Sequence, residues 1–200
     1  MNNFKPDELN EVNRLAGKSL IHILEDLNDL FPGHGFRLQE MSRIWLNEFP
    51  GSVKMDKEED VYTLYFLCNF HDLGKLITKS EDQMNSQRRH CLLGNLVAEA
   101  HPELSHIKDL ILFHHESYDG WGCFGVIGKS IPFFNRMLSI LNNYDSLVYG
   151  RCYNYPQISK EAALERLVEE AGRKLDPELV PIALQVMKRE GQEISYCPQP

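Results

Sequence analysis

The sequence predicts an all-α fold, one helical domain of about seven to eight helices, and three observations carry that prediction. Apolar residues recur at spacings of three and four from Leu9 to Met187, the signature of helices with one buried face. Proline, glycine and N-cap residues punctuate the chain where those runs stop. No stretch of period-two alternation competes with them. The 200 residues suffice for one domain with a sizeable core, taken as 1–190 with a C-terminal tail over 191–200.

From Asp7 to Phe31 the apolar positions Leu9, Val12, Leu15, Leu20, Ile23, Leu27 and Leu30 predict one amphipathic helix packed on the domain and stopped at Pro32-Gly33. His22 beside that face has no polar partner at helical spacing and reads as structural. A second helix opens near His34, carries Leu38, Met41, Ile44 and Trp45, and ends at Pro50-Gly51. Asp56 with Glu59 forms a capping box for a third, which delivers His71-Asp72 at its C-terminal end. Ser80 with Gln83 opens a fourth, running to about Ala100 with His90 and Gly94 on its apolar side. Pro102 suits the first turn of a fifth, which ends in His114-His115.

Between Glu116 and Pro132, four glycines with Trp121 and Phe124 describe a loop with special backbone angles. A sixth helix runs from Pro132 to Gly150-Arg151. Ser159 caps a seventh, closed by Gly172. Asp176-Pro177 starts an eighth through Val180, Ala183 and Met187, after which the chain frays.

Composition excludes several functions. A formal charge of −8 leaves no basic stripe for a nucleic-acid polymer. No window reaches membrane-spanning length, and the first residues have no apolar core of signal-peptide type. Five cysteines without CxxC spacing read as reduced thiols of a cytoplasmic protein.

The chemistry-bearing residues gather at helix ends and on core faces: His34, His71, Asp72, His90, His114 and His115. A neutral imidazole offers one nitrogen to a borderline metal, and a carboxylate has two oxygens with which to bridge two ions. Convergence would therefore make a dinuclear site, with Asp72 as bridge, His34 and His71 on one ion and His90, His114 and His115 on the other. Gly74 offers a turn after the pair, and Lys75 sets a cation where a phosphate would lie. Spacing alone leaves convergence and scattered burial equally open. His101 and His106 fit no such pattern and are expected to face solvent.

The series resembles the HD superfamily of metal-dependent phosphohydrolases, and within it the HD-GYP branch. The matching residues are His34 with Arg37, the run His71 to Lys75, His90 with Gly94, the run His114 to Gly122, Gly125, Gly128, Ile131-Pro132, Arg136, Arg151, Tyr153 and Leu175 to Val180. The resemblance implies an HD-type helical fold and a two-metal centre, and hydrolysis of cyclic di-GMP by a metal-bridging hydroxide. It implies Asp72 and Lys75 as catalytic residues. Substrate contacts would come from Lys75, Arg151, Asp119 and Gly122, with Asp119 and Glu116 also candidates to orient His114 or His115. Iron or manganese suits the histidine-rich set best, with zinc, nickel or magnesium as the other divalent choices. The expected partner is a cyclic dinucleotide or another phosphate ester, with a homodimer or a signalling-protein partner open.

Departures from the branch set the alternatives. Cys123-Phe124 stands where the branch has Tyr-Pro, and Asn142 where the last metal-binding Asp would be. Leu30 replaces a Glu of trinuclear members, which implies two metals at most. Asn154 replaces a basic residue, and the segment before His90 is short. Two rivals follow: a general HD phosphohydrolase on another nucleotide or phosphate ester, and a degenerate domain that binds a nucleotide or protein without turnover.

Overall fold

The N–H of Lys5 donates to Glu8 Oε2 at 2.7 Å, fixing the start of the first helix in a computed structural model that describes residues 4–52, 58–78, 83–150 and 157–193. Among the described residues nine α-helices follow in order: α1 Pro6–Ala16, α2 Leu20–Leu30, α3 His34–Glu48, α4 Glu58–Phe70, α5 Gln83–Ala100, α6 Lys108–Phe113, α7 Phe133–Tyr149, α8 Lys160–Glu169 and α9 Val180–Glu193. Short 3₁₀ turns occupy Pro50–Ser52, Leu73–Leu76, Ser105–Ile107 and Gly128–Ser130. The one strand-like feature among them is an isolated bridge between Ala171 and Leu175.

The all-α expectation holds, with three local corrections. The expected single helix over Asp7–Phe31 is two, because the chain leaves helical geometry at Gly17 and restarts after Ser19. Both keep the apolar face legible in the sequence: Val12 and Leu15 from α1 and Ile23 and Leu27 from α2 are buried. The expected helix after Pro102 is partly 3₁₀, with α6 only six residues long. Asp176 begins a turn rather than the helix itself. Its Oδ1 accepts from the N–H of Glu178 at 2.8 Å, its Oδ2 pairs with Arg136, and α9 starts at Val180 and passes residue 190. The capping boxes at Asp56 and Ser80 lie outside the described residues.

The helices share one hydrophobic core that runs from Val12 to Met187 and includes Trp45, Leu67, Leu93, Ile111, Leu141 and Val186. Around it α3 packs on α4, α7 and α9, while α5 packs on α1, α6 and the turn after Asp72. That last contact depends on glycine. A Cβ on Gly74 would come within 1.9 Å of the His90 carbonyl oxygen and 2.7 Å of the Gly94 nitrogen. Gly74 has no positive φ, so space rather than the turn conformation requires it. Gly94 answers from the other side, its own Cβ position lying 3.0 Å from the Gly74 nitrogen. The two glycines let the His71–Asp72 turn lie directly on the helix that carries His90.

His101 is a further correction. It is buried, its Nε2 donates to the Lys18 carbonyl at 3.0 Å, and its Nδ1 accepts from the N–H of Glu103 at 3.2 Å. It ties the end of α5 to the α1–α2 connection. His106 is exposed, with its ring edge-on to Phe66, and His22, at the exposed start of α2, has the polar partner at helical spacing that the sequence reading denied it, the Ser19 hydroxyl 2.8 Å from its Nδ1.

Candidate metal centre

Five segments deliver the site. α3 begins at His34 because Gly33, with φ 69°, supplies the left-handed cap that turns the chain into the helix. α4 ends at Phe70, so His71 and Asp72 sit in the turn that follows, where adjacent side chains can reach one point. α5 carries His90, and the turn after α6 carries His114 and His115. α7 passes behind with Asp145 and Asn142.

All six residues predicted to converge do so. Ligand atoms of Asp72, His90, His114 and His115 form one group and those of His34, His71 and Asp72 another, each with all members within 4.8 Å of one another. Asp72 belongs to both. Its Oδ1 lies 3.7 Å from His90 Nε2 and 3.6 Å from His114 Nε2, while its Oδ2 lies 3.5 Å from His71 Nε2. Lys75 Nζ donates to Oδ2 at 2.9 Å.

The outer nitrogens determine what the inner ones can do. His71 Nδ1 donates to the Cys68 carbonyl at 3.1 Å, His90 Nδ1 to the Ser86 carbonyl at 2.9 Å, and His114 Nδ1 to the Ile111 carbonyl at 2.7 Å. Carbonyls only accept, so each of these Nδ1 atoms carries the proton and each Nε2 presents a lone pair inward. His34 Nδ1 faces Asp145 Oδ2 at 2.6 Å to the same effect. Two pairs of lone pairs then face each other, His34 with His71 at 3.3 Å and His90 with His114 at 3.1 Å. Neutral rings in these tautomers cannot hydrogen-bond to one another, and a divalent cation is the partner that satisfies both. His115 adds a buried Nε2 with no hydrogen-bond partner. The donor set therefore fits metal on this chain's own chemistry, imidazole-rich with one shared carboxylate.

Burial keeps two of the rings, His90 and His115, neutral. It lowers the His90 pKa to about 3, helped by His114 and opposed by Asp72. It also holds His115 well below the ordinary histidine value, with His114 and His90 adding to the effect. Asp145 shows the opposite balance: burial alone would raise its carboxyl, but hydrogen bonds from His34 and Arg37 outweigh it and hold the pKa down. The ionised Asp145 also accepts from Arg37 Nε at 2.5 Å and Nη2 at 3.1 Å. It is the carboxylate that orients His34.

The loop residues do something other than expected. Glu116 does not orient a histidine: its buried carboxylate accepts from the N–H of Phe124 at 2.7 Å and of Val126 at 2.6 Å, folding the loop back on itself. Asp119 Oδ1 accepts from the Trp121 N–H at 3.0 Å, forming the turn at Gly120. Gly122 lies against the Glu116–Ser117 backbone, where a Cβ would come within 2.6 Å of Glu116 Cα. Asp119 and Gly122 thus stand outside the two ligand groups. Asn142 lies one turn before Asp145, half-buried, and Arg151 lies outside the described residues. Sequence reasoning missed the Glu116 anchor and the Asp145–His34 bond. A carboxylate on the apolar side of α7, beside Leu141 and Tyr144, was the available signal, since a buried acid needs partners.

A protein-family model described as an HD domain matches residues 22–179. Over 136 residues the chain is 32% identical to the cyclic di-GMP phosphodiesterase response regulator RpfG of Xanthomonas campestris pv. campestris, covering 62% of this chain and 36% of that protein. A cyclic di-GMP phosphodiesterase of Vibrio cholerae is 26% identical over 204 residues, covering 92% of this chain and 41% of that protein. The chain thus spans 36% and 41% of the length of these two relatives. Among solved structures, a cyclic GMP-AMP specific phosphodiesterase of V. cholerae superposes with a TM-score of 0.62 at 19% identity, over 91% of this chain and 48% of that one; this likeness is one of fold. Among the described residues no helix is long and apolar enough to cross a membrane.

Proposed function

The chain belongs to the HD domain family, and on that premise we propose that it is a divalent-metal phosphodiesterase acting on a cyclic dinucleotide, with cyclic di-GMP as the leading substrate. One observation carries the reading: two groups of inward-facing ligand atoms share a single buried carboxylate, Asp72. The relatives named above, cyclic di-GMP phosphodiesterases by their descriptions, support the choice of substrate.

His34, His71 and Asp72 would hold one ion and Asp72, His90, His114 and His115 the other, with Asn142 as a further neutral oxygen ligand. Bound divalent ions supply a nucleophile from water at neutral pH and offset the charge of the phosphate. The protein's own work is positioning. Carbonyls of Cys68, Ser86 and Ile111 lock three imidazoles in the ligating tautomer, and Asp145 with Arg37 locks the fourth. Lys75, with its ammonium 5.0 Å from the Phe31 ring centroid, is proposed to contact a phosphate oxygen, exchanging its bond to Asp72 for one to substrate. Arg151, Asp119 and Gly122 are retained as substrate contacts on the family likeness alone. Iron or manganese is the favoured metal for an imidazole-rich set. Free Cys68, Cys91 and Cys123 suit a cytoplasmic setting.

The test combines metal analysis with turnover. Protein purified without chelator should carry about two transition-metal ions per chain, as two-metal hydrolases do, and with manganese or ferrous iron should convert cyclic di-GMP to pGpG or GMP. Intact cyclic di-GMP alongside cleavage of another phosphodiester would replace this reading with a general HD phosphohydrolase. Asn142 favours a second reading, binding without turnover, because an amide brings no charge to the site. Under it, Asn142→Asp leaves turnover at zero; under the first, the substitution raises metal affinity and rate.

A further inference from the structure

We propose that the cavity on the His34 side of the centre is a nucleobase subsite, with Phe36 as its stacking platform and the Gln39–Asn69 amide pair as its hydrogen-bonding edge. The proposal deepens the reading above and rests on it only for where the phosphate lies. α2, α3 and α4 enclose a cavity of about 470 Å³ that reaches from His34, His71 and Asp72 outward to Phe36 and Tyr62. That size is ordinary for a small-molecule site.

Its chemistry selects the occupant. Among the described residues no lysine, arginine or glutamate lines it, so the phosphate belongs at the ligand cluster beside Lys75, and the cavity suits a neutral, flat group. Phe36 is 75% exposed and Tyr62 64% exposed, two aromatic rings left in water at the rim of an apolar hollow. Base stacking is what such rings do in nucleotide sites.

Deeper in, the two amides are already oriented. Asn69 Nδ2 donates to the Tyr65 carbonyl at 2.8 Å and to Gln39 Oε1 at 2.8 Å. Tyr65 O can only accept, which fixes which atom of the Asn69 amide is nitrogen. Both of its hydrogens are then used, and Asn69 Oδ1 and Gln39 Nε2 make no hydrogen bond among the described residues. Gly35 matters here: a Cβ would come within 2.8 Å of Asn69 Oδ1, so glycine leaves that acceptor uncovered. An acceptor beside a donor complements the donor and acceptor that a base presents side by side on its edge.

The experiment uses calorimetric titration of the whole manganese-loaded chain with GMP and with ribose 5-phosphate, which differ by the base. GMP should bind at least tenfold more tightly. Phe36→Ala, at an exposed position, should weaken GMP about fivefold or more and leave ribose 5-phosphate unchanged, and Gln39→Leu should do likewise. Guanosine added to chelator-treated protein should shift the Gln39 and Asn69 side-chain amide resonances in NMR spectra. Equal affinity for the two ligands, or GMP binding untouched by both substitutions, overturns the subsite. Failure of the function reading looks different: neither cyclic di-GMP nor bis(p-nitrophenyl) phosphate is cleaved, while the preference for GMP persists.

Discussion

His115 is the residue whose surroundings make least sense without a metal. A buried ring nitrogen with no partner costs about 1–3 kcal/mol, and burial, with the neighbouring histidines adding to it, keeps that ring from charging to escape the cost. In the presence of chelator, His115→Leu should therefore leave the melting temperature unchanged or raise it, whereas with manganese present it should remove most of the metal-induced stabilisation. Melting curves with and without chelator check both arms. At Asn142, the expectation is a metal affinity about tenfold higher in Asn142→Asp, measured by competition with a fluorescent chelator. Asp72 is legible from sequence as a bridge because only a carboxylate has two ligating oxygens. Four of its five imidazole neighbours come from other segments, and the tautomers of His71, His90 and His114 follow from carbonyls that no pattern of side chains reveals.

Two contacts between helices decide how the segments around the site pack. The turn after Asp72 lies on α5 through Gly74 and Gly94, with backbone atoms at the point of approach. Gly74→Ala should cost about 3 kcal/mol or more, the upper end for overpacking, because the clashing atom is a carbonyl oxygen of the helix itself. Gly94→Ala meets the Ile111 Cγ2 methyl at 2.9 Å, a side-chain atom that can give, and should cost less. Denaturant midpoints that reverse this order would refute the account.

The second contact docks α1 on α5. Glu8 accepts from Arg89 Nε at 2.6 Å, and that bond holds its carboxyl below the ordinary value against the opposing effect of burial. A depressed carboxylate contributes stability above its unfolded pKa, near 4.3, and loses it as pH falls through the lower folded value. Glu8→Gln should thus cost about 1 kcal/mol at pH 7 and very little below that window, as urea unfolding at the two pH values would show. The position of Glu8 in the first turn of α1 was plain from sequence. Its partner, 81 residues away, was not.

Over the whole molecule, the candidate centre draws together α3, the end of α4, α5 and the end of α6, so metal bound there ties the fold's middle to itself. Binding to the folded state alone is worth about 2.7 kcal/mol at a hundredfold excess over the dissociation constant. For a chain of this size that corresponds to about 5–10 °C. Adding chelator should lower the melting temperature by that much in the wild type and by almost nothing in Asp72→Ala. An equal shift in both would mean that metal binds elsewhere.

The sequence by itself determined the helical class, several of the helix ends, and the residue types able to ligate a metal, because periodicity, caps and glycine breaks are local and act within a turn or two of chain. It misjudged the break at Gly17 and the burial of His101, where a single residue's surroundings come from another helix. Only the tertiary structure decided that the six ligand candidates meet, that Asp145 rather than Glu116 or Asp119 steadies a histidine, and that Phe36, Gln39 and Asn69 border a cavity. Those are contacts between segments tens of residues apart, and they depend on how closely helices approach, which in this chain rests on the space left by Gly35, Gly74 and Gly94.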